Sequence, residues 1–392
     1  PMSMLKFEKF SGINNLADAS ELTPADLAQG LNVDVTNSGR IKRRQGFTVR
    51  DACCHGNLFE APGYLLATDA QHALVAIWPD GQRVQVHPSM GAGRIWYVLL
   101  PDGRVAFSNG LQCGITDGHT ASEWGARKPE SVGVAVSTQG SLTKGKYRWA
   151  ITHVRRSDGL ESGGLTSEVQ EVAHGGLALM GLPEREGFDT QVYLTHANGE
   201  QFFLVGRAEG GQLRITAHEG LGQARTLDLD APPAGILLAE WNGRALVAQG
   251  AMLLASLPTM PEQFDLTRDY RQFGADITLV QPVGDGIFVG TSEALHFLAG
   301  ETWDTLRLQT PMTGAVTLGS GVAVDGRHIR IGDGNASGEC MVCIADGLVV
   351  AGLPSGQVVP LSQERYRTEA QEVSAAFRLQ GRMPQYMAQV LR

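Results

Sequence analysis

Charge, cysteine, aromatic rings and helical periodicity are all in short supply in this sequence of 392 residues. Charged residues make up 19%, and 32 Lys and Arg face 41 Asp and Glu, for a formal net charge of −9. That balance excludes a general polyanion binder while leaving room for a local basic patch. The 5 cysteines are odd in number and lack the spacing of a disulfide framework, so they read as free buried thiols made in a reducing cytoplasm. No run approaches the roughly 18 consecutive apolar residues of a membrane-spanning helix. Pro1 to Phe10 carry no apolar core of a secretory signal. A soluble chain without membrane insertion is the expectation.

Aromatic residues, at 7%, are too few for a surface that stacks sugars. Trp78, Trp96, Trp149, Trp241 and Trp303 sit in apolar or strand-like runs and read as core. Trp124, between Glu123 and Gly125, reads instead as an exposed interface aromatic. Helical periodicity is confined to Pro24 to Leu31, where Thr23 can cap, Pro24 suits the first helical position and Asp26 lies in the first turn, so one short helix is expected.

What the chain has is glycine, 49 residues of it, within a composition that is 43% hydrophobic and therefore able to build a core. Asp-Gly pairs begin at Asp80, Asp102, Asp117, Asp158, Asp285, Asp325, Asp333 and Asp346, and Asn-Gly pairs at Asn109, Asn198 and Asn242. Such pairs favour tight hairpin turns with positive φ. Between them lie strand-like runs such as Tyr64 to Thr68, Arg83 to His87, Ala245 to Gln249 and Leu348 to Ala351. Over 55–125 and 232–365 the runs group into four-stranded units of some 40–45 residues, the rhythm of propeller blades, roughly five in all. The stretch 129–231 has longer strands, including Tyr147 to Val154 and Thr190 to Thr195, and reads as an immunoglobulin- or fibronectin-like sandwich.

The expected fold is therefore all-β. An extended N-terminal arm (1–50) precedes the first propeller part (51–128), the inserted sandwich (129–231) and the second propeller part (232–366), and C-terminal strands follow (367–392).

Motifs for chemistry are missing or incomplete. Cys340 and Cys343 have zinc-knuckle spacing without a second ligand pair, and Cys53-Cys54-His55 is likewise incomplete. Asp333-Gly334-Asn335 is a turn rather than a calcium loop, and Gly159 to Gly164 lacks the lysine of a phosphate-binding loop. Arg155 and Arg156, beside Asp158, read as an ordinary hairpin end. No enzyme, cofactor or metal is expected. A hydrolase crater built from carboxylates on separate blades stays open as the least favoured alternative.

Residues 10–47 are the most distinctive part. They run Phe10-Ser11-Gly12-Ile13-Asn14-Asn15, then Leu31-Asn32-Val33-Asp34-Val35, then Gly39-Arg40-Ile41-Lys42-Arg43-Arg44-Gln45-Gly46-Phe47. This order resembles the N-terminus of tailed-bacteriophage virion proteins. A second likeness lies at Trp241-Asn242-Gly243-Arg244-Ala245-Leu246-Val247-Ala248, Pro261-Glu262-Gln263-Phe264-Asp265 and Pro282-Val283-Gly284-Asp285-Gly286. The resemblance is to tail, nozzle or packaged-DNA-stabilising components. It implies a non-enzymatic ring at or below the head–tail junction, made in the bacterial cytoplasm and carried in the virion.

Implied partners are copies of itself, portal or adaptor proteins, tail fibre or tube proteins, and DNA passing transiently. Candidate subunit-interface residues are Phe10, Ile13, Asn14, Asn15, Asp34, Arg43, Arg44, Phe47 and Trp124. Arg40, Lys42 and Arg44 share one side of a strand and could face DNA or pair with acidic neighbours. The main alternative is a host-recognition or fibre-docking module carried by the sandwich.

Overall fold

Turn chemistry organises the body. At Asn242-Gly243 and Asp346-Gly347 both residues have positive φ, as a two-residue hairpin turn requires, and each joins consecutive antiparallel strands. Repetition of such hairpins gives five antiparallel sheets whose four main strands run in chain order, one of them with a fifth strand. The computed structural model describes residues 9–391 apart from Cys54 and Leu221.

Blade 1 contains Gly56–Ala61, Tyr64–Thr68, Leu74–Ile77 and Arg83–His87. Blade 2 contains Trp96–Leu99, Val105–Ser108, Cys113–Thr116 and Ala121–Ser122. Blade 3 contains Ile236–Trp241, Arg244–Gln249, Met252–Leu257 and Met260–Phe264, with Tyr270–Gln272 also paired to its third strand. Blade 4 contains Ile277–Val283, Gly286–Thr291, Ala294–Ala299 and Arg307–Thr313. Blade 5 contains Val322–Asp325, Glu339–Ala345, Leu348–Gly352 and Val358–Pro360. The first strand of every blade borders one central cavity, so the sheets are arranged as a β-propeller.

Side chains alternate across each sheet, so every blade has two apolar faces and the cores lie in the seams. Leu66, Leu74 and Ala76 of blade 1 pack on Val105 and Phe107 of blade 2. Ala106 and Ile115 meet Val247 and Phe264 in the next seam, and Leu246 and Leu253 meet Ile287 and Val289 in the one after. Phe288 and Phe297 of blade 4 pack on Met341, Cys343 and Val350 of blade 5. The far face of blade 5, with Cys340 and Val342, is covered by Phe377 and Tyr386 of a C-terminal hairpin, Val373–Gln380 and Met383–Val390. The hairpin is tied inward by Arg94, which donates to Glu372 at 3.2 Å and to the Val373 carbonyl at 2.7 Å.

The insertion between blades 2 and 3 is a sandwich. One sheet has the order Leu165–Thr166, Trp149–Arg155, Phe188–Thr195, Phe202–Arg207. The other has the order Val134–Thr138, Gly176–Met180, Gln212–Ile215. Ile151, Leu177, Leu179, Val192 and Leu194 fill the space between them.

Two expectations are corrected. No helix forms at Pro24 to Leu31; Asp26–Leu27 is instead a short strand, parallel to Gly12–Ile13. The Asp26 carboxylate accepts from the Thr23 amide and hydroxyl and closes a turn, and eight residues are too few to repay helix nucleation without packing. Trp124 is 2% exposed, not a surface aromatic, because it fills the seam between blades 2 and 3 edge-on to Phe264.

Cys340 and Cys343 are buried free thiols, and burial pushes both upward in pKa. In native protein, a thiol reagent followed by peptide mapping is expected to label Cys53, which is exposed, and to reach Cys340 and Cys343 only after unfolding.

Candidate functional site

The arm is built from two small sheets, Gly12–Ile13 with Asp26–Leu27 and Val33–Val35 with Ile41–Arg43. Ile13 therefore pairs with Leu27 inside the arm, and the Phe10 amide donates to the Gly39 carbonyl at 2.7 Å. The Asn14 side chain caps the following turn by accepting from the amides of Leu16 and Ala17. Asn15 reaches across the molecule. Its side chain donates to the Arg367 carbonyl at 2.7 Å and accepts from the Arg367 amide at 2.9 Å, and its own amide donates to the Arg365 carbonyl. Asp26 adds an ion pair with Arg365. The arm is thus fastened to the strap that leads from blade 5 to the C-terminal hairpin.

Arg40, Lys42 and Arg44 share the face of the arm hairpin on which Asp34 lies, since Asp34 is registered opposite Lys42. Arg44 is taken up by Asp34 at 2.8 Å. Arg40 and Lys42 are exposed, as is Arg43, which projects on the opposite face. Phe47, in the extended stretch after this hairpin, is 87% exposed.

A second constellation joins the sandwich to the propeller. Glu262, on the fourth strand of blade 3, is only 6% exposed. It accepts from Arg155 of the sandwich at 2.9 and 3.2 Å, from Arg104 of blade 2 at 3.2 Å, and from the Gly125 amide at 3.1 Å. Asp158 and Asp102 hold the outer edges of the two guanidiniums. Hydrogen bonds to Asp158 and then to Glu262 raise the pKa of Arg155 against the penalty of burial, and the bond from Arg155 lowers that of Asp158. Arg155 is therefore more than a hairpin end. Its pairing with Asp158 was visible from their spacing, but its tie to Glu262 spans 107 residues of sequence and left no local signal.

Gly125 belongs to the same joint. Its φ is +81°, and a Cβ there would meet Pro232, the Glu262 carbonyl and Ala231 at 2.5 to 3.1 Å. The outgoing chain lies directly against it, and backbone hydrogen bonds run both ways between Asp230 and Phe264.

The central cavity has a volume of about 890 Å³ and is lined in part by Asn57, Arg94, Trp96, Thr278 and Gln281. Asn57 stitches blades 1 and 2 by donating to the Gly93 carbonyl and accepting from the Ile95 amide. Arg94 lies 4.1 Å above the Trp96 ring. A cavity of this size suits a small molecule, so nothing as large as duplex DNA passes through one propeller. Among the described residues no group of three His, Cys, Asp or Glu gathers in a metal-binding arrangement; Cys54 of the Cys53-Cys54-His55 run lies outside them.

No protein-family model and no curated protein sequence matches the chain. Solved structures similar to it include a streptogramin B lyase at 9% identity, covering 84% of this chain and 91% of that one, with a TM-score of 0.31. YCF48 from Cyanidioschyzon merolae aligns at 8% identity over 88% of this chain and 95% of its own, TM-score 0.32. The Dos1 propeller aligns at 10% identity over 88% and 76%, TM-score 0.32.

Removing a carboxylate that neutralises two guanidiniums leaves buried charge uncompensated. Glu262→Gln is expected to cost about 3 kcal/mol in denaturant unfolding. The double change Glu262→Leu with Arg155→Met should recover part of that loss. Gly125→Ala is expected to cost more than about 1 kcal/mol, because alanine is strained at positive φ even before the clash.

His153, packed edge-on to Phe188 within the sandwich, has its pKa lowered by burial and then by Arg185. It stays neutral in the fold while the unfolded chain protonates. Stability is therefore expected to fall as pH drops below the unfolded value of about 6.5 and on toward the folded one. His153→Gln should flatten that part of the profile.

Proposed function

We propose that the chain is a non-enzymatic structural component of a bacteriophage tail. In this reading it assembles with copies of itself into a ring at or below the head–tail junction, guides or retains DNA, and docks other tail proteins. The observation that carries the reading is the arm, which is anchored to the body at Asn15 and Asp26 yet presents Phe47 and Val49 to solvent at 87% and 81% exposure. The sequence resemblance of residues 10–47 and of the blade 3–4 segment to virion proteins points the same way. A ring of identical subunits needs heterologous contacts, and an arm outside the body supplies one.

The mechanics follow from the joints. Blades packed through apolar seams and a sandwich clamped at Glu262 make one stiff block, whose loops and arm are left for neighbours. Any DNA passage lies between subunits, since the cavity within each is too small. With a net charge of −9, the wall of such a passage repels phosphate and lets DNA slide.

One observation favours fibre docking as a second reading. On the sandwich, Val134 and Val136 are exposed on one face of an edge strand, with Met180 registered opposite Val134.

Imaging of the purified chain and of intact particles tests the proposal. A closed ring in solution, and the same ring at the head–tail junction, is the expected result. A chain that is monomeric in solution and missing from particles contradicts it. If fibre docking is right, Val134→Asp with Met180→Asp leaves the ring intact and strips fibres from it.

A further inference from the structure

Apolar cores fill the seams from blade 1 around to the C-terminal hairpin, but the circle has one more seam. Blade 1 turns Phe59, Ala61, Tyr64 and Leu66 toward blade 2. Alternation sends Leu58, Glu60, Leu65 and Ile77 to its other face, where Glu60 pairs with Leu65 and Leu65 with Ile77 across the sheet. In the circular order of the sheets the hairpin follows blade 5 and precedes this face, and no hairpin residue lines the groove over it. The hairpin contributes two strands where the blades have four. Among the described residues no buried apolar cluster joins hairpin to blade 1. A groove of about 820 Å³ lies over the blade 1 face instead, with Leu58 65% and Leu65 42% exposed.

The chain also carries the complementary piece. Phe47 and Val49 are two apart in a stretch without regular secondary structure, so on pairing as a strand they project from one side. The stretch is held at both ends. The Arg44 amide donates to the Asn32 carbonyl while its side chain pairs with Asp34, and Asp51 is bound by Arg83 and His55. Although Arg50 borders the groove, Phe47 does not enter the groove of its own chain.

Charge matches at Glu60, although the groove is also lined by Arg50 and by Arg83, which Asp51 holds. Arg40, Lys42 and Arg43 of the arm have no acidic partner among the described residues, whereas Glu60 in the groove and Asp80 beside it are exposed with no cationic one.

We infer that the open face of blade 1 is the docking site for the arm of a second copy of this chain. Phe47 and Val49 of one protomer enter the groove at Leu58 and Leu65 of the next, and the basic strand of the arm lies against Glu60. The donor and acceptor are different surfaces of the same protein, so the contact is head-to-tail and gives a ring when the rotation per subunit closes, an open filament otherwise. The inference rests on the ring-forming part of the proposed function and names the surface that makes the ring.

The test uses two full-length variants. Phe47→Asp with Val49→Asp spoils the donor, and Leu65→Arg spoils the acceptor; circular dichroism and the unfolding midpoint confirm that each folds. By mass photometry, wild type is expected to form closed oligomers and each variant alone to be monomeric. An equimolar mixture should give dimers and nothing larger, because it retains one good donor–acceptor pair per two chains. A photo-crosslinking residue at position 47 should join differently labelled copies at blade 1.

If the variants assemble like wild type, or if crosslinks map to another surface or another protein, the docking site is wrong while the ring reading survives. If wild type is monomeric at its highest soluble concentration, the docking site and the self-assembled ring fail together.

Discussion

The structure depends most on one buried carboxylate. Glu262 receives guanidiniums from the sandwich and from blade 2 together with a backbone amide, and so ties three parts of the chain at a single point. Other contacts cross the same joint, since Arg185 of the sandwich pairs with Glu123 and Gln263 of blade 3 donates to the Glu161 carbonyl, but Glu262 is the buried centre of the set. With it, charge, hydrogen bonding and the close approach at Gly125 all specify one arrangement. A buried charge cluster contributes little net stability compared with apolar packing, but it is unforgiving of misplacement.

The seams around the propeller supply most of the stability, and the same alternation that builds them leaves a surplus. A blade has two apolar faces, so a row of blades that does not close on itself ends with one face uncovered. Here the C-terminal hairpin covers the last face of blade 5, and Arg94 draws it inward. Blade 1 keeps its outward face partly open. The packing rule that builds the seams within the chain is the one on which the proposed contact between copies rests.

Local features were legible in the sequence. The strands Tyr64–Thr68 and Arg83–His87 have the bounds expected from their apolar runs and flanking turns, and Cys340 and Cys343 lie in the core as their apolar setting suggested. Hairpins are short-range, so an Asp-Gly or Asn-Gly pair carries most of the information that makes them. Features that depend on distant partners were not legible. Trp124 looked exposed because its chain neighbours are Glu123 and Gly125, but its burial comes from blade 3, more than 100 residues on. Arg155 looked local for the same reason. Asp26 mimicked a helix-start residue, and the strand partner that overrides this reading, Gly12–Ile13, is itself only two residues long. The arm was conspicuous in sequence, whereas its anchorage at Asn15 joins residues more than 350 apart.

Native-state hydrogen exchange at the Gly125 amide tests the central claim most directly, because that N–H donates to Glu262 inside the joint. The account predicts that it exchanges as slowly as amides in the blade cores, and that Glu262→Gln speeds it by orders of magnitude while the far seam at Phe288 stays protected. Exchange at the rate of a surface loop in the unaltered protein would contradict the claim that this carboxylate fixes the sandwich to the propeller.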